Sequence, residues 1–163
     1  EGMLKEFSIK FKKGDTAVNP ATTDMFEGDN SKKLNKQERE LFHRMVAKAL
    51  FLCKRACVDI QPIVSMLCTR VKSPGRNDWN KLVRMMKFLN GTVNDKLILS
   101  VVNGVHNTEW YIDAAFLVHP NFRSHTGQVM KFENGKGSVE NVSTKQKINT
   151  DSSAVAERNS WST

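Results

Sequence analysis

The spacing of apolar residues divides the chain into a helical stretch followed by an alternating one. Phe42, Met45, Val46, Ala49, Leu50 and Cys53 recur at three- and four-residue intervals, so they share one helix face, with Arg44, Lys48 and Arg55 largely to its sides. Asn35 precedes Glu38 by three residues, a capping-box spacing in which both side chains satisfy free amides at a helix start. A second stripe, Ile63, Val64, Leu67 and Val71, predicts a helix capped by Asp59, with Pro62 tolerated in its first turn and Pro74-Gly75 as its end. A third, with Trp79, Leu82, Val83, Met86 and Leu89 inward, starts at Asn77 or Asp78 and stops at Asn90-Gly91. Three short amphipathic helices with brief links predict a small bundle.

On either side of the helices the pattern is different. Phe7-Ser8-Ile9-Lys10-Phe11 alternates and predicts a strand, followed by a connector rich in Gly, Pro, Thr and Asp. After Gly91, Leu97 to Val101 and Glu109 to Ile112 flank Asn103-Gly104, which predicts one hairpin. Gln128 to Phe132 and Ser138 to Val142 flank Asn134-Gly135-Lys136-Gly137 and predict a second. A last helix begins near Ser152. The expected class is α+β, a small three-helix bundle followed by an antiparallel sheet. The expected divisions are 1–34 (strand and connector), 35–95 (helices), 96–157 (sheet and last helix) and 158–163 (polar tail).

Composition adds a partner class. Lys and Arg number 25 against 17 acidic residues, a formal +8 and a pI near 9.5, which favours a polyanion such as nucleic acid. Lys81, Arg84 and Lys87 follow one another at three-residue spacing on the third helix. That face either tracks a phosphate backbone or is an ordinary solvated surface. Cys53, Cys57 and Cys68 lack zinc-site spacing and are too few and odd for a disulfide framework, so they read as reduced, partly buried thiols. Met45, Met66, Met85 and Met86 read as core filling. With no signal-peptide pattern and no membrane-spanning apolar stretch, the expected location is cytoplasmic or nuclear.

Candidate chemistry centres on Asp113, which interrupts the apolar run Trp110-Tyr111-Ile112-Asp113-Ala114-Ala115-Phe116. A carboxylate buried in a strand is costly unless paired, and a metal ion is one such partner. The alternative is a strand-end Asp bonded to local backbone amides. Glu157, on the last helix, is either a second ligand or an exposed tail carboxylate.

Asp113-Ala114-Ala115-Phe116, then His119-Pro120-Asn121-Phe122-Arg123-Ser124-His125-Thr126-Gly127, Lys145-Gln146-Lys147, Ser152-Ser153 and Ala156-Glu157 follow in an order that resembles the start of the ribonuclease H domain of copia-type retrotransposon polyproteins. Val58-Asp59-Ile60, Lys72-Ser73-Pro74 and Lys87 to Thr92 resemble that family's segment between reverse transcriptase and ribonuclease H. The resemblance covers roughly Leu41 to Glu157. It implies a thumb- or connection-like helical segment, an incomplete ribonuclease H-like sheet, and Asp113 and Glu157 as catalytic, magnesium-binding carboxylates for two-metal hydrolysis of an RNA–DNA hybrid.

The chain also departs from that family. It has no Asp-Asp pair, which excludes the polymerase chemistry, and the two later ribonuclease H acids would lie beyond Thr163. Val155 stands where the family has another Glu, and the helix continues into Arg158-Asn159-Ser160-Trp161 rather than apolar residues. The chain begins at Glu1 without an initiator Met, so the expectation is a piece of a longer product.

The first expected function is therefore a catalytically incomplete retroelement segment that binds an RNA–DNA hybrid or other nucleic acid, beside the rest of its polyprotein or another subunit. A domesticated or decayed helical interaction module without nucleic-acid specificity is the second, and a nuclease completed in trans the third. Arg123, with His119 and His125, lies in a loop that can reach phosphate in the first reading. His43 reads as structural.

Overall fold

The computed structural model describes residues 2–7, 9–12, 14–28, 30–102 and 107–161. They form a mixed α+β protein with five α-helices and an open, three-stranded antiparallel sheet. The chain divides into two compact units, Glu1–Asp95 and Lys96–Thr163.

The first unit holds α1 (Gly2–Glu6), α2 (Lys36–Arg55), α3 (Gln61–Cys68) and α4 (Arg76–Gly91). The capping box of α2 forms as its spacing predicts: Glu38 N–H donates to Asn35 Oδ1 at 2.9 Å and Asn35 N–H to Glu38 Oε2 at 3.1 Å. From α2, Phe42, Met45, Val46, Ala49 and Cys53 are buried, against Ile63, Val64, Met66 and Leu67 of α3 and Leu82, Met85 and Met86 of α4. The methionines are core filling, and all three cysteines are free, with thiols pushed up by burial. Leu50, expected on the buried face, is exposed.

Three local expectations fail. Asp59 does not cap α3: a 3₁₀ turn over Val58–Ile60 leads into the helix, which has Pro62 in its first turn and ends at Cys68, before Val71. The cap of α4 is instead the backbone of Gly75, whose N–H donates to Asp78 Oδ2 at 2.9 Å from three residues on. The described part of residues 7–11 forms no strand (Ser8 is outside it). Phe7 is buried there, stacked on Phe11 at 5.9 Å and Trp79 at 5.4 Å, so the alternation supplies rings to the helical core rather than a ladder.

The second unit holds β1 (Thr108–Ala115), β2 (His125–Phe132), β3 (Glu140–Lys145) and α5 (Ser153–Ser160). The second predicted hairpin forms, with Val129 opposite Asn141, and its turn uses left-handed backbone at Asn134 and Gly137. The first does not form as drawn: Leu97 to Val101 is not a strand, and β1 pairs with β2, Asp113 facing Gly127. The expected turn at Asn103-Gly104 lies outside the described residues. α5 is capped by Ser152, whose hydroxyl accepts from Val155 N–H at 3.3 Å. It runs through Arg158 to Ser160, a stretch expected to be tail.

Directly opposed residues of an antiparallel pair share a face. Ala114, Thr126 and Thr144 form one cross-strand row, and Ile112, Gln128 and Val142 the next. α5 covers this face through a polar seam. Thr126 and Ser160 share a hydroxyl bond at 3.0 Å, Gln128 Nε2 donates to the Ser160 carbonyl, and Gln146 Nε2 reaches Thr126 Oγ1 at 3.0 Å and the Ala156 carbonyl at 2.8 Å. Among the described residues no helix is long and apolar enough to cross a membrane.

Candidate functional site

The other face of the sheet carries Asp113, Gly127 and Ser143 in one row and Ala115, His125 and Lys145 in the next. Asp113 is therefore turned away from α5, and it is exposed rather than buried; its Oδ1 accepts from Ala114 N–H at 2.8 Å. The apolar run around it does not mark burial, because Trp110 and Tyr111, on opposite faces, are themselves half exposed. Glu157 is exposed on α5. The two carboxylates expected to share magnesium thus lie on opposite sides of the sheet, and they do not fit a common metal site. Among the described residues no cluster of three or more His, Cys, Asp or Glu side chains is arranged to hold an ion.

The basic triplet of α4 is also placed differently from expectation. Residues 14–28 pack along that face: Lys81 Nζ donates to the carbonyls of Met25 at 3.0 Å and Glu27 at 3.3 Å, and Lys87 pairs with Asp15 at 2.7 Å. Arg84 lines two adjoining clefts of about 370 and 510 Å³, and its Nε is buried with no hydrogen-bond partner. The carboxyl of Asp24 is held below its ordinary value by the Thr22 hydroxyl and, more weakly, by Lys81 and Arg84. Two of the three cations are spent on fixing the connector.

The exposed side of α2 is the more open basic surface. Lys36, Arg39, Arg44, Lys48, Lys54 and Arg55 are all exposed along it, with Glu40 as an acidic neighbour. Arg44 and Lys48 bind Glu6, whose carboxyl is lowered chiefly by the Lys48 bond. Phe51 is 68% exposed among these charges, with the Arg55 guanidinium 5.6 Å from its ring centroid. Residues 1–95 hold 18 of the 25 Lys and Arg but 11 of the 17 Asp and Glu, a net +7 of the total +8.

A second polar cluster lies at the β1–β2 loop. His119 Nε2 and His125 Nδ1 are 3.0 Å apart, and His125 Nε2 is 2.7 Å from Ser143 Oγ. Both rings are buried, and burial, helped by Lys145 at His119 and by His119 at His125, pulls each down to about 4, so both are neutral at pH 7. The loop holds its shape through His119 N–H to the Arg123 carbonyl, with Leu117 and Phe122 in left-handed backbone, φ 51° and 55°. Such strain at bulky residues persists only where surrounding contacts impose it. Desolvation and the Arg123 charge both lower Lys145. The two histidines are legible in the sequence as a pair six apart around Pro120, but Ser143 joins them only through strand register. Comparison of the chain with protein-family models, curated proteins and solved structures found no match to any of them.

Proposed function

We propose that this chain is a nucleic-acid-binding segment of a retroelement polyprotein, without nuclease activity of its own, and that it holds RNA–DNA hybrid or similar duplex on the outer face of α2. In this reading the helices of residues 35–95 correspond to a thumb- or connection-like bundle and the sheet to an incomplete ribonuclease H fold. The supporting observation is the charge asymmetry: nearly all the excess positive charge falls in the first unit, and six cations line one helix about 30 Å long. A phosphate backbone presents regularly spaced negative charge over such a length. The opposed placement of Asp113 and Glu157 favours binding over cleavage.

Fluorescence anisotropy with a labelled hybrid tests this. Affinity is expected to fall steeply with salt, and a Lys36→Ala, Arg39→Ala, Lys54→Ala, Arg55→Ala variant is expected to flatten the log–log salt slope by about three. The Lys81→Ala, Arg84→Ala, Lys87→Ala variant is expected to bind within about threefold of the parent, because Lys81 and Lys87 hold the connector and Arg84 lies partly buried in the clefts beside it. Salt-insensitive association, or loss of binding in the α4 variant alone, overturns the assignment. Magnesium-dependent cleavage lost in Asp113→Asn overturns the non-catalytic part.

A further inference from the structure

The chain from Ser143 through His125 to His119 has the arrangement of an activated nucleophile: a hydroxyl within reach of an imidazole, and that imidazole oriented by a third group. We propose that Ser143 is a nucleophile for acyl transfer, with His125 as its general base and His119 as the positioning residue, acting on carboxylic esters. Four observations converge on it.

The first is hydrogen-bond connectivity. With Ser143 Oγ–H donating to His125 Nε2, the only proton left on that ring is on Nδ1, which then donates to His119 Nε2. The opposite tautomers satisfy the same two contacts, with His125 Nε2 donating to Ser143 Oγ and His119 Nε2 to His125 Nδ1; only the first arrangement leaves His125 Nε2 able to take the serine proton. The second is protonation state: burial keeps both rings neutral at pH 7, so in the first arrangement a nitrogen lone pair faces Ser143, and the same burial makes His125 a weak base. The third is space. Ser143 sits on the sheet face opposite α5, and its cross-strand neighbour Gly127 would have nothing within 4 Å of an added Cβ, so the surface beside the hydroxyl is open. The fourth is charge: Lys145, two residues along β3, puts a cation on the same sheet face as Ser143.

In the step itself Ser143 Oγ bonds to the ester carbonyl carbon while its proton passes to His125 Nε2. Collapse of the tetrahedral adduct breaks the bond to the alcohol oxygen, which leaves with that proton. Water then attacks the acyl-serine, His125 takes the water proton and returns it to Ser143 Oγ, and the carboxylic acid departs. Nothing is oxidised or reduced.

An alkyl fluorophosphonate tests the nucleophile directly, since Ser143 Oγ would displace fluoride and keep the phosphonyl group. The full chain is incubated with the probe at pH 7.5 and the adduct is located by peptide mass mapping, a readout that needs no variant. The expected result is one adduct, on Ser143, absent after urea unfolding. His125→Gln is expected to slow labelling about 100-fold and His119→Gln about tenfold, with the latter also changing the pH profile of the labelling rate. Circular dichroism reports whether each variant stays folded. Absence of a Ser143 adduct in the folded chain overturns the proposal, as does a folded His125→Gln variant that labels at the parental rate.

Discussion

Replacing Asp78 by Ala is expected to cost the first unit about 2–4 kcal/mol, the largest loss from any single polar truncation in it. Asp78 is 1% exposed and accepts from Gly75 N–H at 2.9 Å and from Arg70 Nε at 3.2 and 3.3 Å. Removing the carboxylate strands a buried backbone donor at the start of α4 and leaves a cation without its partner. Arg70 keeps 30% of its side chain in water, which places the expected cost below that of breaking a wholly buried pair. Asp78→Asn retains volume and one acceptor and is expected to lose about half as much. Urea unfolding followed by the fluorescence of the adjacent Trp79 measures both variants. A change under 1 kcal/mol for the Ala variant would mean that water replaces both bonds.

Asp78 also illustrates what local spacing reveals. The capping box of α2 was legible because Asn35 and Glu38 carry both halves of it in their side chains. At α4 the N-cap is a glycine, so only the Asp78 half exists and the pattern places the start one or two residues late. The hairpin of β2 and β3 is legible from its Asn-Gly-Lys-Gly turn, whereas the pattern pairs β1 with Leu97 to Val101 and the structure pairs it with β2. Leu97 to Val101 is as apolar as a strand, and apolar content does not choose a strand's partner. The same limit explains Asp113. Its neighbours suggest burial, but α5 covers only the other face of the three-stranded sheet, and on the Asp113 face the β1–β2 loop shields His125 while Asp113 stays exposed. The basic residues of α4 were legible as a cationic face, but their occupation by residues 14–28 depends on contacts more than 50 residues apart in sequence.

The second unit is expected to lose stability as pH falls from about 6.5 to about 4, while the first holds nearly level across that window. The two imidazoles carry the effect. Unfolded, each takes up a proton near 6.5; folded, each resists until about 4. Between those values the unfolded chain binds more protons, so stability is full above 6.5, declines below it, and levels off once both states are protonated. The depression corresponds to at most about 3.4 kcal/mol per ring, and to less than twice that for the two together, since one proton shared across the His119–His125 bond relieves part of the strain of the second. The groups facing the pair reinforce the direction. Lys145 opposes a charge on His119, His119 opposes one on His125, Arg123 adds to the local positive field, and the Ser143 hydroxyl brings no charge. Asp113, in the neighbouring row, bonds its own following amide. Carboxylates in ion pairs do not mask most of the window, because Glu6, Glu38 and Glu109 are held below their ordinary 4.5 by Lys48, Arg76 and Lys131, so the stability they contribute begins to fall only near the foot of it. Nitrogen-15 shifts of the two imidazoles at pH 6 are expected to show neutral rings, and urea midpoints of the second unit are expected to fall from pH 7.5 to 4.5. In a His119→Gln, His125→Gln variant that decline should flatten to a fraction of its parental size. Charged rings at pH 6, or an undiminished decline in the variant, would place the acid sensitivity elsewhere and remove the neutral base on which Ser143 depends.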